Sequence, residues 1–212
     1  MKFAAILLAA VLGAAVAGCG NEKGSEPAAS SVSAASQSAI SRSVVPVISE
    51  ESEKEFQKAL TAYGEGNSKE AMASAKEALR KDDKNYKAYS LKGLLEAFDG
   101  KPEDGILTIG KALEINPSYT QAFFDMAMAQ KLGAHYDESI RYFEKVLAVD
   151  PKNTWSYYGI ATDYADKKNK EKTLFYLSKA MALDAASVRP EAESQDHFAW
   201  LRNDPEFKKV IQ

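Results

Sequence analysis

KALEINP at residues 111–117 and KVLAVDP at residues 145–151 are one phrase written twice. Their prolines, Pro117 and Pro151, stand 34 residues apart, each closing an apolar run through Asn or Asp. Proline has no amide hydrogen and clashes with the preceding turn, so each phrase marks where a helix stops and the chain turns back. Stepping by the same interval aligns four units, 52–85, 86–119, 120–153 and 154–187. One column of that alignment is small throughout: Ala59, Gly93, Ala127, Ala161. So are Ala71, Gly105, Ser139, Thr173 and Ala78, Ala112, Val146, Ala180. Bulkier columns hold Ala75, Ile109, Phe143, Leu177 and Leu79, Leu113, Leu147, Met181, and the units end on Asp82, Asn116, Asp150 and Asp184.

Two short helices joined by a turn pack closely only where small side chains let their backbones cross. One such pair cannot bury its apolar stripe, but stacked pairs bury one another's. The columns resemble the tetratricopeptide repeat family, whose period is 34 and whose unit is a helix–turn–helix. The resemblance implies an all-α, right-handed superhelical solenoid of four repeats over residues 50–187, closed by a C-terminal cap at 188–212. Two departures stand out. Asp83 and Ala185 replace the terminal proline, and Ala134 and Lys168 stand where Gly66 and Gly100 mark the turn.

Residues 1–18, MKFAAILLAAVLGAAVAG, carry one lysine and then an apolar run rich in Ala and Gly. The run is short for a spanning helix, which needs about 20 apolar residues, and has the composition of an export signal. It ends in Val16-Ala17-Gly18-Cys19, which resembles the lipobox of bacterial lipoproteins. That resemblance implies cleavage before Cys19 and acylation of its sulfur. Acyl chains add about 0.8 kcal/mol of membrane affinity per buried CH₂. Gly20 in place of Asp after the cysteine implies the outer membrane, facing the periplasm, where the host has one. Residues 19–49 are rich in Ser and Ala without periodicity and read as a flexible linker spanning roughly 30 Å. Val44, Val45, Val47 and Ile48 are its apolar exception, either docked on the first helix or a stiff end.

A formal net charge of −3 gives no basic footprint for nucleic acid. Cys19 is the sole cysteine, which excludes an internal disulfide, and His135 and His197 lack zinc-protease spacing, so no metal or cofactor is expected. Neither a phosphate-binding glycine loop nor a GxSxG elbow occurs. His135 reads as a solvated turn residue, and His197 beside Asp196 has no nucleophile to serve. The pairs Glu50-Glu51, Asp82-Asp83 and Glu103-Asp104 suit helix ends. The expectation is therefore a binding protein without catalysis. The alternative is an envelope hydrolase or transferase whose site is not recognisable.

In this family the first helix of each unit lines a concave groove. The matching positions here are Phe56, Leu60 and Tyr63 in the first unit, and Lys87, Ser90, Leu94 and Phe98 in the second. The third contributes Gln121, Phe124, Met128 and Leu132, the fourth Trp155, Tyr158 and Thr162. Such a groove suits an amphipathic helix or an extended apolar peptide, although aromatics at helical spacing equally suit a core. Some members of the family grip a terminal carboxylate with basic residues. Here those places hold Phe56, Leu60, Leu91, Gln121 and Asp125, so that clamp is not expected. In the tail, Pro190 and Pro205 read as first-turn residues of short helices, with Asp204 as an N-cap. Phe198, Trp200, Leu201, Phe207, Val210 and Ile211 supply the apolar surface of a cap. Together these features lead to a membrane-anchored scaffold or adaptor in cell-envelope assembly, with a protein or peptide partner.

Overall fold

The computed structural model describes residues 45–212; residues 1–18, read above as a signal, Cys19, Val44 and the rest of the segment read as a linker before residue 45 lie outside the described residues. Each repeat folds as a helix pair. The pairs are α1 (Glu50–Gly64) with α2 (Ser68–Lys81), α3 (Tyr86–Phe98) with α4 (Pro102–Ile115), α5 (Thr120–Leu132) with α6 (Tyr136–Val149), and α7 (Thr154–Asp166) with α8 (Lys170–Ser194). A 3₁₀ turn (Asp196–Leu201) and α9 (Pro205–Val210) follow. Among the described residues no helix is long and apolar enough to cross a membrane.

Local chemistry repeats with the units. Ser49, Asn85 and Asn153 cap first helices by accepting from the amides of Ser52, Ala88 and Ser156. Asn67 and Asn169 cap the second helices α2 and α8 in the same way. Each cap satisfies an amide that has no partner inside the helix. Inside the pairs, the turn residue is left-handed in every unit: Gly66 at φ 76°, Gly100 at 81°, Ala134 at 60° and Lys168 at 59°. The two departures from glycine thus keep the backbone and carry a steric cost of about 1–2 kcal/mol each.

The column Asp82, Asn116, Asp150, Asp184 breaks the second helices with non-helical backbone. In the first three units its side chain accepts from the amide two residues on: Lys84 (2.9 Å), Ser118 (3.2 Å) and Lys152 (3.1 Å). Asp184 instead accepts from Ser187 at 3.1 Å, because there the chain re-enters a helix at once. This breaks α8 into two stretches, with Asp184 at φ −154° and ψ 78°. Pro190 accordingly lies inside the second stretch, not in its first turn as expected. Asp184 starts that stretch, and exposed Ala186, whose carbonyl loses its partner to the proline, has water available instead. The reading of Pro205 holds, with Asp204 accepting from the amides of Glu206 and Phe207.

The aligned columns form the core. Ala59, Ala127 and Ala161 are fully buried, as are Ala75, Ile109, Phe143 and Leu177. Polar links join successive pairs. Ser52 donates to the Ala78 carbonyl (2.7 Å) and accepts from Asn85 (2.8 Å). Asp163, fully buried, accepts from Ser139 (2.6 Å) and pairs with Lys131 (3.1 Å). Before α1, Val45 and Ile48 are half-buried while Val47 is exposed, so the described part of that cluster does not dock as a whole.

Candidate functional site: the concave face

The first helices of the repeats line two open cavities. The first, about 770 Å³, lies among α1, α3 and α5. Phe56, Leu60, Leu91 and Leu94 make its apolar walls, Tyr63 and Tyr119 add phenols, and Lys87, Gln121 and Asp125 supply polar groups. The second, about 550 Å³, shares Tyr63 and continues over Leu95, Phe98, Met128, Lys131, Leu132 and Tyr136 to Asp166 and His197.

Of the sequence-selected positions, Phe56, Leu60, Tyr63 and Leu94 therefore line the first cavity, and Tyr63, Phe98, Met128 and Leu132 the second. Leu132, 44 % exposed, is the most open of them. Phe124, Trp155 and Tyr158, at groove positions by the resemblance, do not form one continuous open surface. Phe124 is buried edge-on against Phe143, with centroids 5.4 Å apart. Tyr158 is buried between half-exposed Trp155 (5.6 Å) and Phe198 (5.9 Å). The second helix of its own repeat covers Phe124 and the tail covers Tyr158, and helical spacing alone does not separate a covered aromatic from an open one. Ser90 and Thr162 are buried.

Phe198, Leu201 and Phe207 are buried against the fourth repeat, in one cluster with Tyr158, Ala161, Leu177 and Ala180. Trp200 stays partly exposed, contrary to its reading as cap core. Its Nε1 donates to the Ala165 carbonyl (3.1 Å) in the last turn of α7, and Lys168 Nζ lies 5.3 Å from its ring centroid. The tail thus closes the end of the solenoid. It reaches the second cavity only through His197, and the first cavity has no tail residue in its lining.

Electrostatics sharpen the picture. Asp125 is buried in the first cavity's lining, and desolvation pushes its carboxyl up to about 6 despite donors from Ser90 (2.5 Å) and Gln121 (2.8 Å). Burial first, and the Asp125 charge second, raise the Tyr63 and Tyr119 phenols. Burial also raises Asp163, opposed by Lys131 and Ser139. At Asp166 burial works upward, but hydrogen bonds from His197 (2.7 Å) and Lys131 outweigh it and the carboxyl is lowered. His135, at the head of α6, contacts Gln130 at 2.9 Å and is half-exposed. Among the described residues no three His, Cys, Asp or Glu side chains are placed to hold a metal ion. Sequence reasoning did not select Tyr119, Asp125, Lys131, Asp166 or His197 for the site. For Asp125 a cue existed: a lone carboxylate in the apolar run Phe123–Ala129 on a first helix.

Helix pairs stacked on small-residue crossings, with their first helices forming one concave wall, define a tetratricopeptide-repeat solenoid, an architecture of protein-interaction scaffolds. The family described as "Tetratricopeptide repeat" matches residues 120–153, the third unit. No curated protein sequence matches the chain. Among solved structures it is similar to MamA residues 41 to end from Desulfovibrio magneticus RS-1. Identity is 19 %, coverage 78 % of this chain and 96 % of that one, and the TM-score 0.57. It is also similar to PilF of Pseudomonas aeruginosa, at 16 % identity, coverage of 76 % and 73 %, and a TM-score of 0.62. A third likeness is to YrrB, titled a TPR protein with an unusual peptide-binding site. There identity is 28 %, coverage 60 % and 70 %, and the TM-score 0.50.

Proposed function

We propose that this chain is a lipid-anchored scaffold of the bacterial cell envelope, which holds a peptide or amphipathic helix of a protein partner on its concave face during envelope assembly. The observation behind the binding half is the pair of open cavities with predominantly apolar walls. An apolar concavity with a few convergent polar groups is the usual form of a ligand site, and groove-bound helices are read through anchors at helical spacing. YrrB, similar in fold, is titled as a peptide-binding protein, which supports a peptide as the ligand class. The anchoring half rests on the Val16–Cys19 lipobox and the linker of residues 19–49.

The test combines both halves in intact cells. Leu60→Glu and Leu132→Glu alter half-buried and exposed positions, so the variants should melt near wild type yet lose crosslinks to the partner. Cys19→Ala should lose fatty-acid labelling and leave the membrane fraction. Crosslinks that survive both groove substitutions contradict the binding half, and fatty-acid labelling of Cys19→Ala contradicts the anchor.

A further inference from the structure

Two buried aspartates sit on first helices of this solenoid, and their surroundings differ. Asp163 has its cation inside the fold, Lys131 at 3.1 Å. Asp125 is 3 % exposed and has Ser90 and Gln121 as donors, but among the described residues no cation lies within ion-pair range of it. Lys87, the cation of the same cavity, is held by Glu53 at 3.0 Å. Tyr63, in the same lining, has a buried hydroxyl without a hydrogen-bond partner among the described residues. A buried charge is normally matched by an opposite charge, and a buried hydroxyl by a hydrogen-bond partner. This cavity leaves both demands open.

From these groups we infer that the first cavity is a subsite for a basic side chain of the bound partner, with Asp125 as its counter-ion and the Tyr63 hydroxyl as a further acceptor. The inference rests on the concave-face reading above and adds the chemistry of the ligand. Phe56, Leu91 and Leu94 match the methylene stem of such a side chain, and aromatic faces favour its cationic head. The charge balance agrees. With Lys87 neutralised by Glu53, the lining retains Asp125 and Glu65, both acidic. Besides these, the titratable groups acting across the cavity are the Tyr63 and Tyr119 phenols, which stay neutral through the physiological range. Asp125 is the group whose charge changes near neutrality.

The experiment uses n-butylammonium, which reproduces the lysine side chain beyond the α-carbon, against butan-1-ol, its neutral isostere. Methyl NMR of Leu60, Leu91 and Leu94 in the full-length protein in detergent reads the binding. At pH 8 butylammonium should bind roughly tenfold more tightly than butanol, the worth of one charge-assisted hydrogen bond. The preference should fall toward pH 5 as Asp125 takes up a proton, and vanish in Asp125→Asn while butanol binding persists. Glu114→Gln, exposed on α4 and outside the lining of both cavities, should keep it. Equal affinity for the two probes, a preference surviving in Asp125→Asn, a preference lost in Glu114→Gln, or no binding of either probe overturns the inference. Butanol binding without a preference sinks only the basic subsite, whereas failure of the concave-face reading is seen separately, as partner crosslinks that survive Leu60→Glu and Leu132→Glu.

Discussion

Gly93 and Gly105 bring the backbones of α3 and α4 into contact. A Cβ on Gly93 would lie 2.6 Å from the Gly105 carbonyl oxygen, and one on Gly105 would lie 2.5 Å from that of Gly93. Neither oxygen can yield without moving a helix. Glycine inside a helix ordinarily costs about 1 kcal/mol relative to alanine, so Gly93→Ala should stabilise on propensity alone. The crossing reverses the sign: Gly93→Ala is expected to destabilise by about 1–3 kcal/mol through overpacking. Gly110, on the same α4 helix with nothing within 4 Å of a Cβ, is the control, and Gly110→Ala should stabilise by about 0.5–1 kcal/mol. Urea unfolding of the two variants reads the difference; shifts of the same sign contradict the crossing.

Ala134 holds the left-handed turn conformation that Gly66 and Gly100 hold without strain. Ala134→Gly should relieve about 1–2 kcal/mol of steric cost and return part of it as unfolded-chain entropy. The net expectation is a gain of about 0.5–1 kcal/mol by denaturant unfolding. A loss of stability would mean the turn tolerates alanine without strain.

Asp125 links stability to pH. Its carboxyl titrates near 3.8 when unfolded and at about 6 in the fold, so between those values the folded protein keeps a proton the unfolded chain has released. Stability therefore falls as pH rises through that window, and the loss persists above it. Roughly two units correspond to about 3 kcal/mol. Asp125→Asn, which keeps the shape and can still bond Ser90 and Gln121, should be about 2–3 kcal/mol more stable than wild type at pH 7.5 and nearly equal to it at pH 4. Thermal melts across that range check this; a variant less stable at pH 7.5 refutes it.

Removing residues 196–212 takes Phe198, Leu201 and Phe207 from the cluster containing Tyr158 and Leu177. In a solenoid each repeat leans only on its neighbours. The truncated protein should lose hydrogen-exchange protection in α7 and α8 first, with α1 to α4 retaining theirs. Uniform loss across the chain would contradict a local cap.

The repeat was legible because its constraints are local. Proline stops, small crossing residues and Asx ends recur at a fixed interval, and the helix pairs follow them. The left-handed turns at Ala134 and Lys168 were legible only as departures, since neither residue advertises a positive φ. What the sequence left open was which groove aromatics stay uncovered. Phe124 and Tyr158 occupy first-helix positions like Phe98, yet Phe143 and Phe198 cover them, and that depends on contacts with the partner helix of the pair and with the tail. Asp125 was visible as a charge in an apolar run, but the lack of a nearby cation emerges only when Lys87 is seen bound to Glu53.

The central claim is that the concave face, not the outer surface, holds the protein partner. A photo-crosslinking amino acid placed singly at Leu60 and Leu132 on first helices, and at the exposed Leu107 and Val149 on second helices, tests it in intact envelopes. Leu60 and Leu132 should give one common partner adduct, abolished by the Leu132→Glu and Leu60→Glu change at the other position respectively, with none from Leu107 or Val149. Adducts confined to Leu107 and Val149, or equal from all four sites, would contradict the account.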